Sequence, residues 1–268
     1  MPHNLDEKIR AALKPGACKE KNGVFFCTEI GTGETDPLKK ILRRWPRLYE
    51  FLLWITSTVF FYGMSAEQAM RRAFLNAEDR ARKIILNLGS GTSDFGENVV
   101  NVDVAPFAGV RVVADAENLP FLDASADMVI SESMLEHVRR PEAAIAEMRR
   151  VLKPGGYVYI EMPFMFPFHA SPNDYTRFTI EGLRDRFAGF DALAAGARAG
   201  PVTALTVQLA YALALLFSFG SRRLYGFFTH CFFVALFPLK ILDQIFRLLP
   251  VYNHEAASHI YFFARKNN

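Results

Sequence analysis

A short apolar run, KIILNL (83–88), opens directly into Gly89-Ser90-Gly91-Thr92, and a second run, NVVNVDV (98–104), carries Asp103 near its end. Glycines after a strand let the backbone turn sharply and approach a ligand closely. A carboxylate at the end of the next strand accepts hydrogen bonds from ribose hydroxyls. A third run, GVRVVAD (109–115), ends in Asp115. Taken singly, each residue reads as well as a turn glycine or a turn cap; three strand ends with one chemistry point to a nucleoside pocket. Farther along, PFMFPFHASPNDYTRFT gathers His169, Asp174, Tyr175 and Arg177 in one loop. That loop offers a base (His169), a carboxylate to orient it (Asp174) and two donors for a substrate (Tyr175 and Arg177). The bland alternative is an Asp174–Arg177 ion pair. His137, in Leu-Glu-His-Val, is a further candidate for catalysis, or a histidine that packs a helix start.

Positioning these groups takes a sheet. The three runs, with DMVISES (127–133) and YVYIEMP (157–163), are Val- and Ile-rich, apolar and separated by turn residues, which reads as strands buried on both faces. Between the last two lies PEAAIAEMRRVLK, with Pro141 near its start and Ala144, Ile145, Met148, Val151 and Leu152 at helical spacing, ended by Pro154-Gly155-Gly156. Thr179 caps a helix over IEGLRDRF. FDALAAGARA (190–199) and SHIYFFARK (258–266) read as a sixth and a seventh strand. Upstream, Asp36-Pro37 opens a helical run through LKKILRR that Pro46 breaks, and a charged helix spans about Ser65 to Lys83.

The stretch NLGSGT…VDV…ADAENLPFLDASADMVISESMLEHVRRPEAAIAEMRRVLKPGGYVYIEMP resembles the class I S-adenosylmethionine-dependent methyltransferases, and among them the type 11-like group with its ubiquinone-type and glycan-associated enzymes. The likeness covers about residues 83–190, and Leu-Pro-Phe-x(5)-Asp, Leu-Glu-His-Val and Leu-Lys-Pro-Gly-Gly carry it. It implies a Rossmann-like, seven-stranded, mostly parallel α/β sheet with an antiparallel last strand. It implies S-adenosylmethionine as cofactor, with Gly89, Ser90 and Gly91 at the methionine moiety, Asp103 on the ribose, Asp115 with Ala116 at the adenine and Ser131 near the sulfonium. Asn87 stands where the family usually has an acid, so its contact with the methionine end is altered. Only SDFGEN separates Thr92 from the second strand, too short for a full crossover helix. Some quinone-type relatives bind a divalent metal through Glu-x-x-Glu-His; here Ser133 replaces the first Glu before Glu136 and His137, so no metal is expected.

Composition sets the remaining bounds. The 268 residues are 51% hydrophobic, enough for a sizeable core, and 31 basic residues answered by 28 acidic ones argue against a nucleic-acid partner. The three cysteines, Cys18, Cys27 and Cys231, are too few for a disulfide framework and point to a reducing compartment. Cys18 and Cys27 resemble the remnant of a zinc ribbon, but two cysteines fall short of a structural site's four ligands. No apolar segment near the N-terminus suggests a signal peptide. The 25 phenylalanines exceed what a core requires. Many lie in an insertion at about 200–257, where residues 202–221 carry no charge and are long enough to span a bilayer, and 224–239 are marginal. Interfacial helices, a soluble cap and a face for a second copy of the chain are the readings of this insertion, with spanning disfavoured by Arg222-Arg223.

The expectation is thus an extension over 1–82, partly helical, before a methyltransferase domain over 83–268. Its acceptor is a small-molecule or lipid-linked glycan, methylated on oxygen with His169 as base, in the cytoplasm at the inner face of the plasma membrane. A quinone-like phenol acceptor and a non-catalytic scaffold are the rival readings.

Overall fold

The computed structural model describes residues 5–29, 59–96, 98–169, 173–248 and 254–268. The helical run expected from Asp36, and the apolar stretch beyond Pro46 up to residue 58, lie outside them.

The polar N-terminal stretch contains α1 (Leu5–Ala12), which buries Ile9 and Ala12. A hairpin follows, β1 (Lys19–Lys21) and β2 (Val24–Phe26). Its two-residue turn, Asn22-Gly23, has positive φ at both positions, the arrangement that matches the twist of paired strands. That turn sets Lys19 opposite Phe26, so Cys18 and Cys27 come next in register, and a disulfide joins them. The expectation drawn from the cysteine number, reduced thiols without a cross-link, is therefore corrected: the hairpin brings Cys18 and Cys27 face to face. Cys231 is free and exposed.

The charged helix expected over 65–83 is two helices. Ser65 caps α2 (Ala66–Ala73) in a reciprocal box with Gln68, and Asn76 caps α3 (Ala77–Ala81). Between them Phe74 turns extended and buries its ring against Tyr157. The strands and helices then run as β3 (Ile85–Leu88), β4 (Val99–Asp103), β5 (Val112–Val113), β6 (Ala126–Glu132), α4 (Pro141–Val151), β7 (Leu152–Pro163), α5 (Ile180–Arg186) and β8 (Phe190–Ala199). They close with α6 (Pro201–Phe217), α7 (Arg222–Leu236), α8 (Asp243–Arg247) and β9 (His259–Lys266).

All nine strands form one sheet in the order β1-β2-β5-β4-β3-β6-β7-β9-β8. The expected seven strands are β3 to β9, and β9 runs antiparallel to both β7 and β8. The hairpin adds two more, with β2 parallel to β5. Leu86, Leu88, Val100 and Val102 pack on one face with α1, α4 and α5, while Ile85, Val99, Met128 and Ile130 pack on the other beneath α2. Among the described residues no helix lies between β3 and β4, as the short connection requires.

β8 ends at the same sheet edge as β7, since Ala199 and Pro163 both pair with His259. The insertion therefore leaves from the carboxyl edge. Asp243 accepts from the backbone N–H groups of Val202 and Thr203, both at 2.9 Å, and so caps the start of α6. A Cβ on Gly200 would stand 2.3 Å from its carboxylate, so the cap needs glycine there. Phe219 and Gly220, both at positive φ, end α6 earlier than the sequence suggested. The longer apolar run is instead Arg222–Phe246, which by length and composition alone could cross a membrane.

Thiol titration of the unfolded, unreduced protein is expected to find one reactive cysteine, and three after reduction; three before reduction would refute the pairing. Cys27→Ser should lower the unfolding free energy by about 2–3 kcal/mol, the loop-closure entropy of so small a ring.

Candidate active site

The strand register sets Leu88 level with Val102 on one side and Ser131 on the other, so three strand ends meet at the carboxyl edge. Gly89 and Gly91 both take positive φ. At Gly89 a Cβ would lie 2.2 Å from Met134, whereas the space in front of Gly91 is open. Asp103 ties this loop down: its Oδ2 accepts from Gly91 N at 2.8 Å and its Oδ1 from Ala105 N at 3.0 Å. A carboxylate has about four acceptor positions, so two remain for ribose hydroxyls. Ser90 and Ser131 are buried, and their hydroxyls lack partners among the described residues. Asp115 is exposed beside the buried Ala116, and its Oδ1 accepts from Glu117 N at 2.9 Å. Open space at a glycine, orphaned hydroxyls and two carboxylates fit a nucleoside cofactor.

Asn87 does otherwise. It lies within β3, opposite Asn101, and its Nδ2 donates to Asn101 Oδ1 at 3.0 Å. Its amide serves as a buried cross-strand link rather than as a cofactor contact.

The second half of the edge is built by β6, β7 and the loops after them. Ser133, at positive φ, turns the chain into a 3-10 turn at Leu135–His137. Ser133 N donates to Glu161 O at 2.9 Å and its Oγ to Glu161 Oε2 at 3.2 Å. The structure brings His137 and His169 together, ring centroids 5.1 Å apart, edge to face. Asp174 accepts from His169 N at 2.9 Å and lies 3.4 Å from His169 Nδ1, as the orienting role requires. Arg177 pairs its two terminal guanidinium nitrogens with Asp174, and one of them also donates to Thr176 O. Tyr175 is half exposed, and its backbone N donates to Glu136 O at 2.7 Å.

Sequence reasoning named Glu136 only within an incomplete metal motif and missed Glu161 altogether, and both carboxylates lie beneath these histidines. Glu136 is 0% exposed, with Oε1 3.8 Å from both His137 Nε2 and His169 Nε2. Burial pushes its carboxyl up to about 7. Burial also lifts Glu161 to about 8, with the negative neighbours Glu132 and Glu136 adding to the rise. Burial depresses His169, helped by His137, which keeps the imidazole neutral. Burial alone would raise Asp174, but hydrogen bonds from Arg177 outweigh it and hold the carboxyl below its ordinary value. The available signal was Glu161 itself, an acid inside an otherwise apolar strand.

Residues 87–160 match the family model of a methyltransferase domain. That is the sequence pattern of a methyltransferase domain over 74 of the chain's 268 residues. The biotin biosynthesis bifunctional protein BioHC of Cellvibrio japonicus is 37% identical over 100 residues, 31% of this chain and 20% of that protein. The ubiquinone/menaquinone biosynthesis C-methyltransferase UbiE of Cupriavidus taiwanensis is 48% identical over 48 residues, 18% of this chain and 20% of that one. Demethylmenaquinone methyltransferase of Renibacterium salmoninarum is 35% identical over 78 residues, 28% of this chain and 33% of that one. The match thus spans a third or less of each relative. In the methyltransferase domain Gly89, Gly91, Asp103, Asp115 and Ser131 are the residues that would hold S-adenosylmethionine, which supplies an activated methyl group.

Asp103→Ala removes a charged acceptor for the ribose and the anchor of the loop. Calorimetric titration should show affinity for S-adenosylmethionine falling by about 10–100-fold, as a lost charge-assisted hydrogen bond implies. Unchanged affinity would remove Asp103 from the pocket. Glu161 has its own signature. A carboxyl raised by folding favours the folded state below the ordinary carboxylate pKa, and that contribution is lost as pH rises to about 8. Chemical denaturation between pH 5 and 8 should show stability declining, with a flatter profile in Glu161→Gln.

Proposed function

We propose that this protein transfers a methyl group from S-adenosylmethionine to a hydroxyl oxygen of a lipid-linked saccharide, at the inner face of the plasma membrane. One observation carries the reading: the apolar helices leave from the carboxyl end of β8, the edge where the glycine loop and the histidine loop also open. α6 turns Thr203, Ala204, Thr206, Val207, Ala210 and Ala214 inward and leaves Leu205, Leu215, Leu216 and Phe217 exposed. Small residues inside and large apolar ones outside is the arrangement of helices that meet lipid. From Gly200 to Leu248 Asp243 is the sole acid and it is buried, while Arg222 and Arg223 stand exposed beside the apolar helices, a balance suited to anionic headgroups. Arg222 and Arg223 follow the tip of the hairpin, which favours helices lying in the interface over a crossing.

Methyl transfer breaks the sulfur–methyl bond, forms the oxygen–methyl bond and requires the hydroxyl to lose its proton. The enzyme's part is to align acceptor and methyl and to exclude water. The Glu136, His137 and His169 cluster is the place where the hydroxyl proton is lost. A second reading, methylation of a quinone-like phenol, is favoured by the likeness to UbiE; such an acceptor also comes from the membrane.

Flotation with vesicles containing anionic lipid tests the surface. The chain is expected to float, and Leu215→Ser/Leu216→Ser/Phe219→Ser to remain at the bottom while binding S-adenosylmethionine as before. Wild-type protein that stays with the soluble fraction, monodisperse without detergent, would refute the membrane reading. Labelled methyl transfer onto extracted lipid-linked saccharides, compared with quinone precursors, separates the two acceptors.

A further inference from the structure

Glu136 is fully buried, and neither of its carboxylate oxygens has a hydrogen-bond partner among the described residues. A buried carboxylate without donors calls for a cation or a proton. Both imidazoles aim at it: Nε2 of His137 and Nε2 of His169 each stand 3.8 Å from the same Oε1. One ligand atom from each of the three side chains lies within 4.8 Å of the others. The opposite ring nitrogens already face acceptors. Nδ1 of His137 meets the Asn173 carbonyl, and Nδ1 of His169 lies 3.4 Å from Asp174 Oδ2 and from the Pro167 carbonyl. Acceptors on Nδ1 hold the proton there and leave Nε2 bare, which is how outer partners prepare an imidazole for a metal. Asp174 is in turn fixed by Arg177, whose charge it neutralises.

We propose that Glu136, His137 and His169 bind a divalent transition-metal ion of the zinc class on the acceptor side of the methyltransferase domain. Two imidazoles and one carboxylate are ligands that such an ion favours, and three protein ligands leave a position open. The two histidine side chains are 16% and 31% exposed, so the open position reaches the loop mouth. Tetrahedral bonds of about 2.0–2.2 Å set ligand atoms about 3.3–3.6 Å apart, so each side chain closes by about an ångström or less. Ser133 excludes the Glu-x-x-Glu-His ligand set; here the third ligand comes from a separate loop, after β7. The use of the ion rests on the proposed O-methylation: it polarises the acceptor hydroxyl so that its proton passes to water at the loop mouth, and His169 serves as ligand rather than base.

Full-length protein stripped by a chelator and titrated with Co²⁺ tests the site through visible absorption, with Zn²⁺ as competitor. One equivalent is expected to bind, with bands of a low-coordinate nitrogen and oxygen site. Glu136→Gln and His169→Ala should each weaken Zn²⁺ binding by about 100-fold or more, and Asp174→Asn by about 10–100-fold, the range for outer partners. Circular dichroism and retained affinity for S-adenosylmethionine certify folding. Should Glu136→Gln misfold, His169→Ala, altered in a surface loop, still decides. Absence of stoichiometric binding by the wild type, or equal affinity in the folded variants, overturns the proposal. Methyl transfer to a hydroxyl with no metal bound refutes the ion and leaves the acceptor reading intact; a bound metal with no hydroxyl acceptor does the reverse.

Discussion

The whole carboxyl edge depends on how the chain gets from β3 to β4. The described residues of the connection, 89–96 and 98, hold no helix, although adjacent parallel strands normally need a longer crossover. What replaces the helix is the Asp103 carboxylate, which gathers the N–H groups of Gly91 and Ala105 from opposite sides. The loop is therefore anchored from the far strand rather than propagated from the near one. Gly89, Gly91 and Gly96 supply the left-handed backbone that so short a path demands, and Met134 closes over Gly89 too tightly for any side chain. The face that a crossover helix would cover is filled instead by α2, which comes from before β3.

Much of this was legible in the residues. The strand ends of the central sheet were readable because apolar runs buried on both faces have few alternatives. The cofactor half of the site followed, because backbone glycines and strand-end acids are local features. The acceptor half was only partly legible. His169 and Asp174 declared themselves by crowding into one loop, and the structure sets them side by side. Glu136 stood out only as part of an incomplete metal motif; its burial was not legible, because the histidine loop that packs over the 3-10 turn comes thirty-odd residues later. Asn87 looked like part of the pocket by position and proves to be paired with Asn101 inside the sheet.

Short elements were the least legible. α1 sits in a segment whose composition reads as polar loop, and only its docking against the sheet makes Ile9 and Ala12 a core face. Asn22-Gly23 was a hairpin signal in plain view, and the cysteine pairing follows from it. The break between α2 and α3 has no glycine or proline to mark it. At the break Phe74 turns extended to pack its ring on Tyr157, and Asn76 caps the helix that follows.

The two borders of the sheet are unlike its interior. On one side β1 is three exposed, charged residues, Lys19-Glu20-Lys21. On the other, Tyr62 and Gly63 donate to Arg198 O and cover part of the outer side of β8. A short lysine-flanked border and a partly occupied one give another chain no ladder to extend. A protein this rich in phenylalanine thereby offers little purchase for strand-by-strand growth into fibrils, and most of the exposed large apolar side chains among the described residues lie instead on the helical hairpin and the turns after it.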